Sequence, residues 1–285
     1  MLYRVTHETR YKYSAPVSQC QSEVRMQPRS LPWQALLDFQ IESTPVPASV
    51  VERKDYFGND VRSMLIQGQH DRFSTRAVSL VRVEPAALLP SSAMSWEAAR
   101  ETIAAHHTPE TLGAFEFIFD SPFVASAEAL LEYARPSFPA GRTLVDAAED
   151  LSRRIHREFA YTPASTVIET PLLETLRKRR GVCQDFAHVM IGALRSMGLA
   201  ARYVSGYVRS VGSFQGSEAS HAWVGVFVPD AGWIDFDPTN DMRPTLEHVT
   251  VAWGRDYGDV TPMKGVALGG GKQVVEVDVK MHLVE

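Results

Sequence analysis

The chain has 285 residues, of which 45% are hydrophobic and 22% charged, and it carries a formal net charge of −5. This length allows two domains or one large domain, each with an ordinary hydrophobic core. The acidic balance argues against nucleic acid as the main partner, because phosphate binding needs a concentrated basic surface. No uninterrupted apolar run approaches the length of a membrane span, so we expect no membrane partner either.

The N-terminal part of the chain alternates in the manner of half-buried strands. One face of residues 3–13 carries Tyr3, Val5, His7, Thr9, Tyr11 and Tyr13, and the other face is mostly charged. Further strand-like runs lie at 22–26, 36–43, 60–66 and 75–83. We predict that residues 1–88 form an antiparallel β-sandwich domain. The stretch 85–92, which contains Pro85, Pro90 and two serines, is predicted to be a linker.

The first eight residues lack the basic and then apolar pattern of a secretion signal, which predicts a cytoplasmic protein. The chain has two cysteines, Cys20 and Cys183. Because a reducing compartment keeps thiols reduced, we do not expect a disulfide between them.

Residues 95–285 show a different pattern, with helices followed by strands. Apolar positions spaced by three and four residues predict helices at 125–134 and 143–159, and a helix at 183–197 that is apolar around most of its circumference. Strands are predicted at 201–208, 221–228, 233–239 and 274–283. We therefore predict an α+β core over residues 95–285, which includes the C-terminal strands.

Cys183 is the most informative residue of this core, since it lies at the amino end of the apolar helix. The positive end of the peptide dipoles favours a thiolate there, and the thiolate is the nucleophilic form. Gly181 leaves space where a substrate carbonyl would approach. The alternative is that Cys183 is a small buried hydrophobic residue, which is common for an unpaired cysteine.

The predicted hairpin that follows brings a histidine and a carboxylate together. Its apolar residues fall on one face of each strand, and burial of both faces selects the register in which Val226 is opposite Ile234. In that register His221 is the diagonal neighbour of Asp237, at a separation that a hydrogen bond can span. The rival carboxylate, Asp235, is opposite Gly225 and farther from His221. A structural histidine at a strand end is the alternative for His221.

These segments resemble the transglutaminase-like superfamily, whose core carries a Cys-His-Asp triad on a papain-like fold. The matching residues are 181–187 (GVCQDFA), 201–207, 221–223 (HAW) and 232–239 (GWIDFDPT). Residues 11–13, 27–29 and 55–59 look like the β domain that precedes this core in bacterial transglutaminase-like proteins, and residues 254–262 also resemble that bacterial group.

The resemblance implies a role for each site residue. Cys183 is the expected nucleophile, His221 the general base and then acid, and Asp237 the carboxylate that orients it. Tyr161 is the candidate second oxyanion donor, with a packed core tyrosine as its alternative, and Trp223 is the candidate substrate-binding residue. The expected fold is an N-terminal β-sandwich followed by a papain-like transglutaminase core.

The expected reaction is hydrolysis of an amide, peptide or isopeptide bond through a thioester on Cys183, with a peptide or protein amide as the substrate. Transglutaminase-type acyl transfer to an amine and a non-catalytic binding scaffold are the alternatives. We expect Asp185 to cap the helix start rather than to oppose the thiolate. No cluster has zinc-ligand or calcium-loop spacing, so the sequence implies no metal and no cofactor.

Overall fold

The computed structural model describes residues 1–85, 92–163, 170–209, 215 and 219–284. Its strands are β1 Leu2–Val24, β2 Gln34–Thr44, β3 Ser49–Lys54, β4 Asp60–Val83, β5 Ala160–Tyr161, β6 Arg180–Gly181, β7 Ala201–Val208, β8 His221–Val228, β9 Gly232–Phe236, β10 His248–Gly254, β11 Met263–Gly269 and β12 Gln273–Leu283. Its α-helices are α1 Trp96–Ala105, α2 Pro109–Phe115, α3 Glu128–Ala134, α4 Leu144–Glu158, α5 Leu172–Lys178, α6 Cys183–Ser196 and α7 Tyr257–Val260.

The N-terminal unit is one antiparallel sheet that folds onto itself. The first part of β1 pairs with β12 and its second part with β11, while β4 pairs with β3 and then with β2. The β1–β4 register shifts between Lys12 and Val17, and Gly68 in β4 has a positive φ of 95°. Buried residues from both halves, including Cys20, Ile66 and Phe73, share one cluster. The predicted sandwich is therefore present as two halves of a bent sheet.

The C-terminal strands belong to this sheet and not to the core to which residues 95–285 were assigned. β12 pairs with β1 from Tyr3 opposite Leu283 to Tyr13 opposite Gln273. The alternating tail predicts a strand correctly, but alternation does not say which strand it will pair with. Of the predicted linker, residues 86–91 lie outside the described residues.

The core unit packs α6 against a four-stranded antiparallel sheet in the order β10–β7–β8–β9. Helix α6 is buried around most of its circumference, as the sequence predicts. The unpredicted helices are α1, α2 and α7, and the unpredicted strands are β3, β5, β6, β10 and β11. None of the helices in the described part of the chain is long and apolar enough to cross a membrane.

Two side-chain amides of the N-terminal unit bind the outer edge of β10. Gln34 donates to the carbonyl of Thr250 at 2.8 Å and accepts from its N–H at 2.8 Å. Asn59 does the same with Trp253, at 2.8 and 3.0 Å. The Arg29 guanidinium lies 3.5 Å from the centre of the Trp253 ring. Because β10 is an edge strand of the core sheet, these amides take the place of a neighbouring strand.

Candidate active site

Cys183 is the first residue of α6, with Val182 as the N-cap. The Asp185 carboxylate accepts a hydrogen bond from the Val182 N–H at 2.9 Å, and the Thr175 hydroxyl donates to its other oxygen at 3.5 Å. The predicted capping role of Asp185 is confirmed by these contacts. The carboxylate of Asp185, two residues after Cys183, therefore sets the start of the helix and with it the position of the thiol.

The structure gives a reason for glycine at position 181 that the sequence does not suggest. A Cβ at this position would lie 2.5 Å from Asp185 Oδ2 and 2.7 Å from Asp185 Cβ. The missing side chain makes room for the capping carboxylate, and the interpretation that it also clears the approach of a substrate stays a prediction. Gly181 acts on Cys183 indirectly, because it allows the cap that begins α6.

The hairpin has the predicted register, with Val226 opposite Ile234 and Gly225 opposite Asp235. The pairing of β8 with β9 ends at Phe236, so Asp237 lies just beyond the strand. His221 Nε2 is 2.7 Å from Asp237 Oδ2, and both residues are buried. The predicted hydrogen bond between a strand-end imidazole and this carboxylate is therefore present.

Asp237 is held by more donors than the sequence suggests. Its Oδ1 accepts the backbone N–H groups of Thr239 and Asn240, at 2.9 and 3.2 Å. Its Oδ2 accepts the Asn240 side-chain amide at 2.8 Å and His248 Nε2 at 3.3 Å, in addition to His221. Sequence reasoning missed Asn240 and His248. The turn residues after Asp237 could have indicated Asn240, whereas His248 belongs to another strand and has no local signal.

The histidine and the carboxylate form an ion pair. Burial opposes the charged form of His221, but Asp237 and the nearby Cys183 side chain outweigh it and raise the pKa of His221 to about 10. Burial likewise opposes ionisation of Asp237, but His221 and His248 lower its pKa below the ordinary value. Within the described residues, no group has full hydrogen-bond geometry to His221 Nδ1. This ring nitrogen, opposite the one that binds Asp237, is the one left for Cys183.

Tyr161 lies next to the segment that leads into Cys183. Strands β5 and β6 pair in parallel, with Tyr161 opposite Gly181, and the Thr162 N–H donates to the Gly181 carbonyl at 2.8 Å. The Tyr161 ring packs edge-on against Phe186 of α6, with centroids 6.2 Å apart. The fold thus brings Tyr161 to the start of α6, and its role as an oxyanion donor stays a prediction.

Trp223 does not have the position of a substrate-binding residue. Its side chain is fully buried, and its indole N–H donates to Asp235 Oδ2 at 2.9 Å. The ring covers Gly206 of β7, where a Cβ would lie 2.4 Å from it. The structure corrects the prediction, because this indole fills the space between strands. Asp235 binds Trp223, in agreement with the choice of Asp237 as the partner of His221.

One group of side chains in the described part of the chain could hold a metal ion. It consists of His221, Asp237 and His248, whose ligand atoms lie within 4.8 Å of one another. Two imidazoles and one carboxylate suit a zinc ion. The Asn240 amide also binds Asp237 Oδ2, however, so hydrogen bonds already occupy the position that a cation would take. Cys20 and Cys183 are both unpaired and lie in different clusters of buried residues.

Comparison with protein families gives two matches. Residues 3–82 match the bacterial transglutaminase-like N-terminal region, and residues 133–238 match the transglutaminase-like superfamily core. The second range contains Cys183, His221 and Asp237. The order of the two regions is the order predicted from the sequence.

Similar proteins occur in several bacteria. An uncharacterised protein of Mycobacterium tuberculosis (strain H37Rv) is 36% identical over 295 aligned residues, which cover 99% of this chain and 92% of the relative. An uncharacterised protein of Mycobacterium leprae is 31% identical over 283 aligned residues, which cover 98% of this chain and 97% of the relative. A protein-glutamine gamma-glutamyltransferase of Pseudomonas aeruginosa is 33% identical over 136 residues, which cover 41% of this chain and 19% of the relative.

A solved structure has the same fold over the whole chain. It is named "Putative Cysteine Protease" from Cytophaga hutchinsonii, with a TM-score of 0.79 and 20% identity, and the match covers 100% of this chain and 91% of that chain. At this identity the likeness concerns the fold alone. The two family matches, together with the relatives of nearly equal length, show that the chain belongs to the transglutaminase-like superfamily and carries the bacterial transglutaminase-like N-terminal region.

Proposed function

We propose that this protein is a cysteine-dependent hydrolase that cleaves amide, peptide or isopeptide bonds through a thioester on Cys183. The observation that carries the proposal is the buried pair of His221 and Asp237, 2.7 Å apart, next to a cysteine at the amino end of α6. A thiolate, a proton donor and a carboxylate that orients the donor are the groups that acyl transfer requires.

The proposed reaction has two stages. The Cys183 thiolate attacks the carbonyl carbon, and the tetrahedral intermediate collapses to a thioester when the carbon–nitrogen bond breaks and His221 gives its proton to the departing amine. Water then attacks the thioester, His221 takes a proton from it, and the carbon–sulfur bond breaks to release the acid and the thiolate. Asp237 stays ionised and stabilises the imidazolium before the amine leaves and after water attacks.

Two donors are proposed for the oxyanion of each intermediate. The first N–H groups of a helix have no acceptor within it, so the backbone N–H of Cys183 is suited to bind a developing negative charge. The hydroxyl of Tyr161 is the second donor in this proposal. The pairing of Tyr161 with Gly181 supports it, because that pairing places the tyrosine beside the segment that precedes the nucleophile.

Acyl transfer to an amine is the second candidate. It differs from hydrolysis only in what attacks the thioester, and the Pseudomonas gamma-glutamyltransferase that shares 33% identity over 136 residues favours it. The residues of the triad serve both reactions equally. The choice therefore depends on whether an amine or water reaches the thioester.

Mass spectrometry of the intact protein and of its products would test the proposal. The protein is incubated with peptides that carry backbone amides, lysine isopeptides or glutamine side chains, with and without a primary amine. We expect an acyl adduct that maps to Cys183 and a free acid whose yield does not depend on the amine. An amine-dependent amide product instead would establish transfer.

Two variants control this experiment. Cys183→Ala should be folded and form no adduct, whereas Cys20→Ala, which removes the other cysteine, should keep the adduct. If the wild-type protein forms no thioester with any substrate and an alkylating agent labels Cys183 only slowly, both enzymatic functions are excluded and a binding scaffold is left.

A further inference from the structure

His248, the first residue of β10, contacts the proposed triad but belongs to none of its motifs. Its Nε2 lies 3.3 Å from Asp237 Oδ2, and its Nδ1 accepts the Thr245 N–H at 3.5 Å. An imidazole nitrogen that accepts a hydrogen bond carries no proton of its own. Nε2 is therefore the ring nitrogen that presents a proton to Asp237 and donates it to the carboxylate.

The position of this imidazole is fixed by packing. His248 is 4% exposed. The Trp223 ring meets it edge-on, with centroids 5.3 Å apart, and the indole of Trp223 is itself held by its hydrogen bond to Asp235. A ring that is buried and packed in this way cannot rotate without moving its neighbours.

The strand that carries His248 is held from both sides. β10 pairs with β7 on its inner edge, where His248 is opposite Val208. On its outer edge Gln34 of the N-terminal sheet bonds both the N–H and the carbonyl of Thr250, two residues after His248. The N-terminal sheet thus fixes the backbone that presents this imidazole to Asp237.

Asp237, in contrast, lies where regular pairing has ended. The β8–β9 ladder stops at Phe236. The Asp237 carboxylate is oriented by the turn that follows and by neighbouring side chains. The turn N–H groups hold Oδ1, while Oδ2, the oxygen that binds His221, is shared with Asn240 and His248. Of these two additional donors to Oδ2, only His248 is held by a sheet.

We propose that His248 is a positioning residue, which holds Asp237 Oδ2 in the orientation that His221 requires. In this proposal its effect on the reaction passes through Asp237. The inference rests on the proposed function for its effect on turnover, but not for the hydrogen bond itself. Among titratable groups, His221 and His248 are the leading influences on the pKa of Asp237, and Asp237 and Cys183 are those on the pKa of His221.

Two variants of His248 separate the donor from the ring. His248→Phe keeps a flat ring against Trp223 and removes the donor, whereas His248→Gln keeps an N–H donor near the position of Nε2. We expect His248→Phe to lower kcat by about 10- to 100-fold, the scale of a small misplacement of a catalytic group, with KM within about twofold. His248→Gln should recover most of that loss. His107→Phe, at an exposed histidine, is the control for a histidine-to-phenylalanine change.

Proton NMR supplies a readout that does not depend on turnover. The His221 Nε2–H in a short bond to a carboxylate gives a downfield resonance, which should broaden or disappear in His248→Phe and persist in His248→Gln and His107→Phe. If His248→Phe keeps both this resonance and wild-type kcat, His248 serves packing alone and the proposal is overturned. If the wild-type protein turns over no substrate, the resonance still tests the positioning role, and the two failures are distinguished.

A wild-type measurement keeps the proposal falsifiable if His248→Phe does not fold. Nitrogen-15 labelling of the histidines reports which ring nitrogen carries the proton. We expect a proton on Nε2 of His248, with Asp237→Ala used to assign its signal. A proton on Nδ1 alone would mean that His248 donates nothing to Asp237, which would overturn the proposal.

Discussion

His221 and Asp237 are joined by a 2.7 Å hydrogen bond between Nε2 and Oδ2, although they are sixteen positions apart in the chain. The hairpin register brings them together, and burial removes the competing water. We expect Asp237→Ala to lower kcat/KM by about 10²- to 10⁴-fold, because the imidazole loses its orientation and its counter-charge. Steady-state kinetics on the substrate identified by adduct formation would measure it. The exposed Asp38→Ala should leave kcat/KM unchanged, and near-normal activity of Asp237→Ala would contradict the assignment.

The same pair predicts how stability depends on pH. The pKa of His221 rises from 6.5 to about 10 on folding, so the protonated ring stabilises the folded state fully below pH 6.5, and this contribution is lost as the pH rises through about 10. The pKa of Asp237 is lowered, so its contribution is present above its ordinary value and is lost as the pH falls below it.

Denaturant unfolding of the wild type and of His221→Gln, compared at several pH values, would test this dependence. The difference in the free energy of unfolding should be largest near pH 6 and should shrink towards pH 10. A difference that grows over this range would show that the folded protein keeps His221 neutral.

The helix cap at Cys183 depends on Gly181. We expect Gly181→Ala to destabilise the protein by about 1–3 kcal/mol, because the new Cβ would lie 2.5 Å from Asp185 Oδ2 and the cap must shift. The rate at which Cys183 is alkylated should change as well, since the substitution shifts the start of α6. Thermal unfolding and iodoacetamide labelling with peptide mapping measure the two effects.

Gly113 offers a matched control for this substitution. It lies in α2, and a Cβ there meets nothing within 4 Å. Gly113→Ala should therefore stabilise the protein by about 0.5–1 kcal/mol, the usual gain for this change in a helix interior. Equal effects of the two substitutions would refute the role of Gly181 in the cap.

The amide of Gln34 joins the N-terminal sheet to β10. Gln34→Met should cost about 1–3 kcal/mol, because it leaves the N–H of Thr250 unpaired, whereas the Thr250 carbonyl keeps the hydrogen bond from the Arg29 N–H. The midpoint of urea unfolding measures the loss. Gln40→Met, on the exposed side of β2, should change stability by less than about 0.5 kcal/mol. Similar midpoints for both variants would show that this contact contributes little to the folded state.

Tyr161→Phe tests the oxyanion donor without disturbing packing, because the ring stays against Phe186. Loss of one such donor lowers kcat by about 10²- to 10³-fold in other enzymes, and we expect a loss of that size. Tyr56, which is 81% exposed in the N-terminal unit, provides the control Tyr56→Phe. An unchanged kcat in Tyr161→Phe would leave Tyr161 as a packed aromatic residue.

The sequence predicted those features that depend on neighbours along the chain. Side-chain chemistry predicted that Cys183 lies at a helix start and that Asp185 caps it. The alternation of buried and exposed residues predicted the pairing of Val226 with Ile234, because burial of one face fixes the strand register. The predicted partnership of His221 with Asp237 followed from that register. The sequence also singled out Gly181, but it did not show that this glycine makes room for Asp185, because the pattern does not give the direction of the Asp185 side chain.

The tertiary structure decided everything that joins distant segments. Alternation marked residues 274–283 as a strand, but only the fold shows that β12 completes the N-terminal sheet on β1. Trp223 shared a face with His221, yet the close approach of Gly206 buries it. His248 reached Asp237 through the pairing of β10 with β7. Local periodicity fixes which face of a strand is buried, whereas the partner of that face depends on the path of the whole chain.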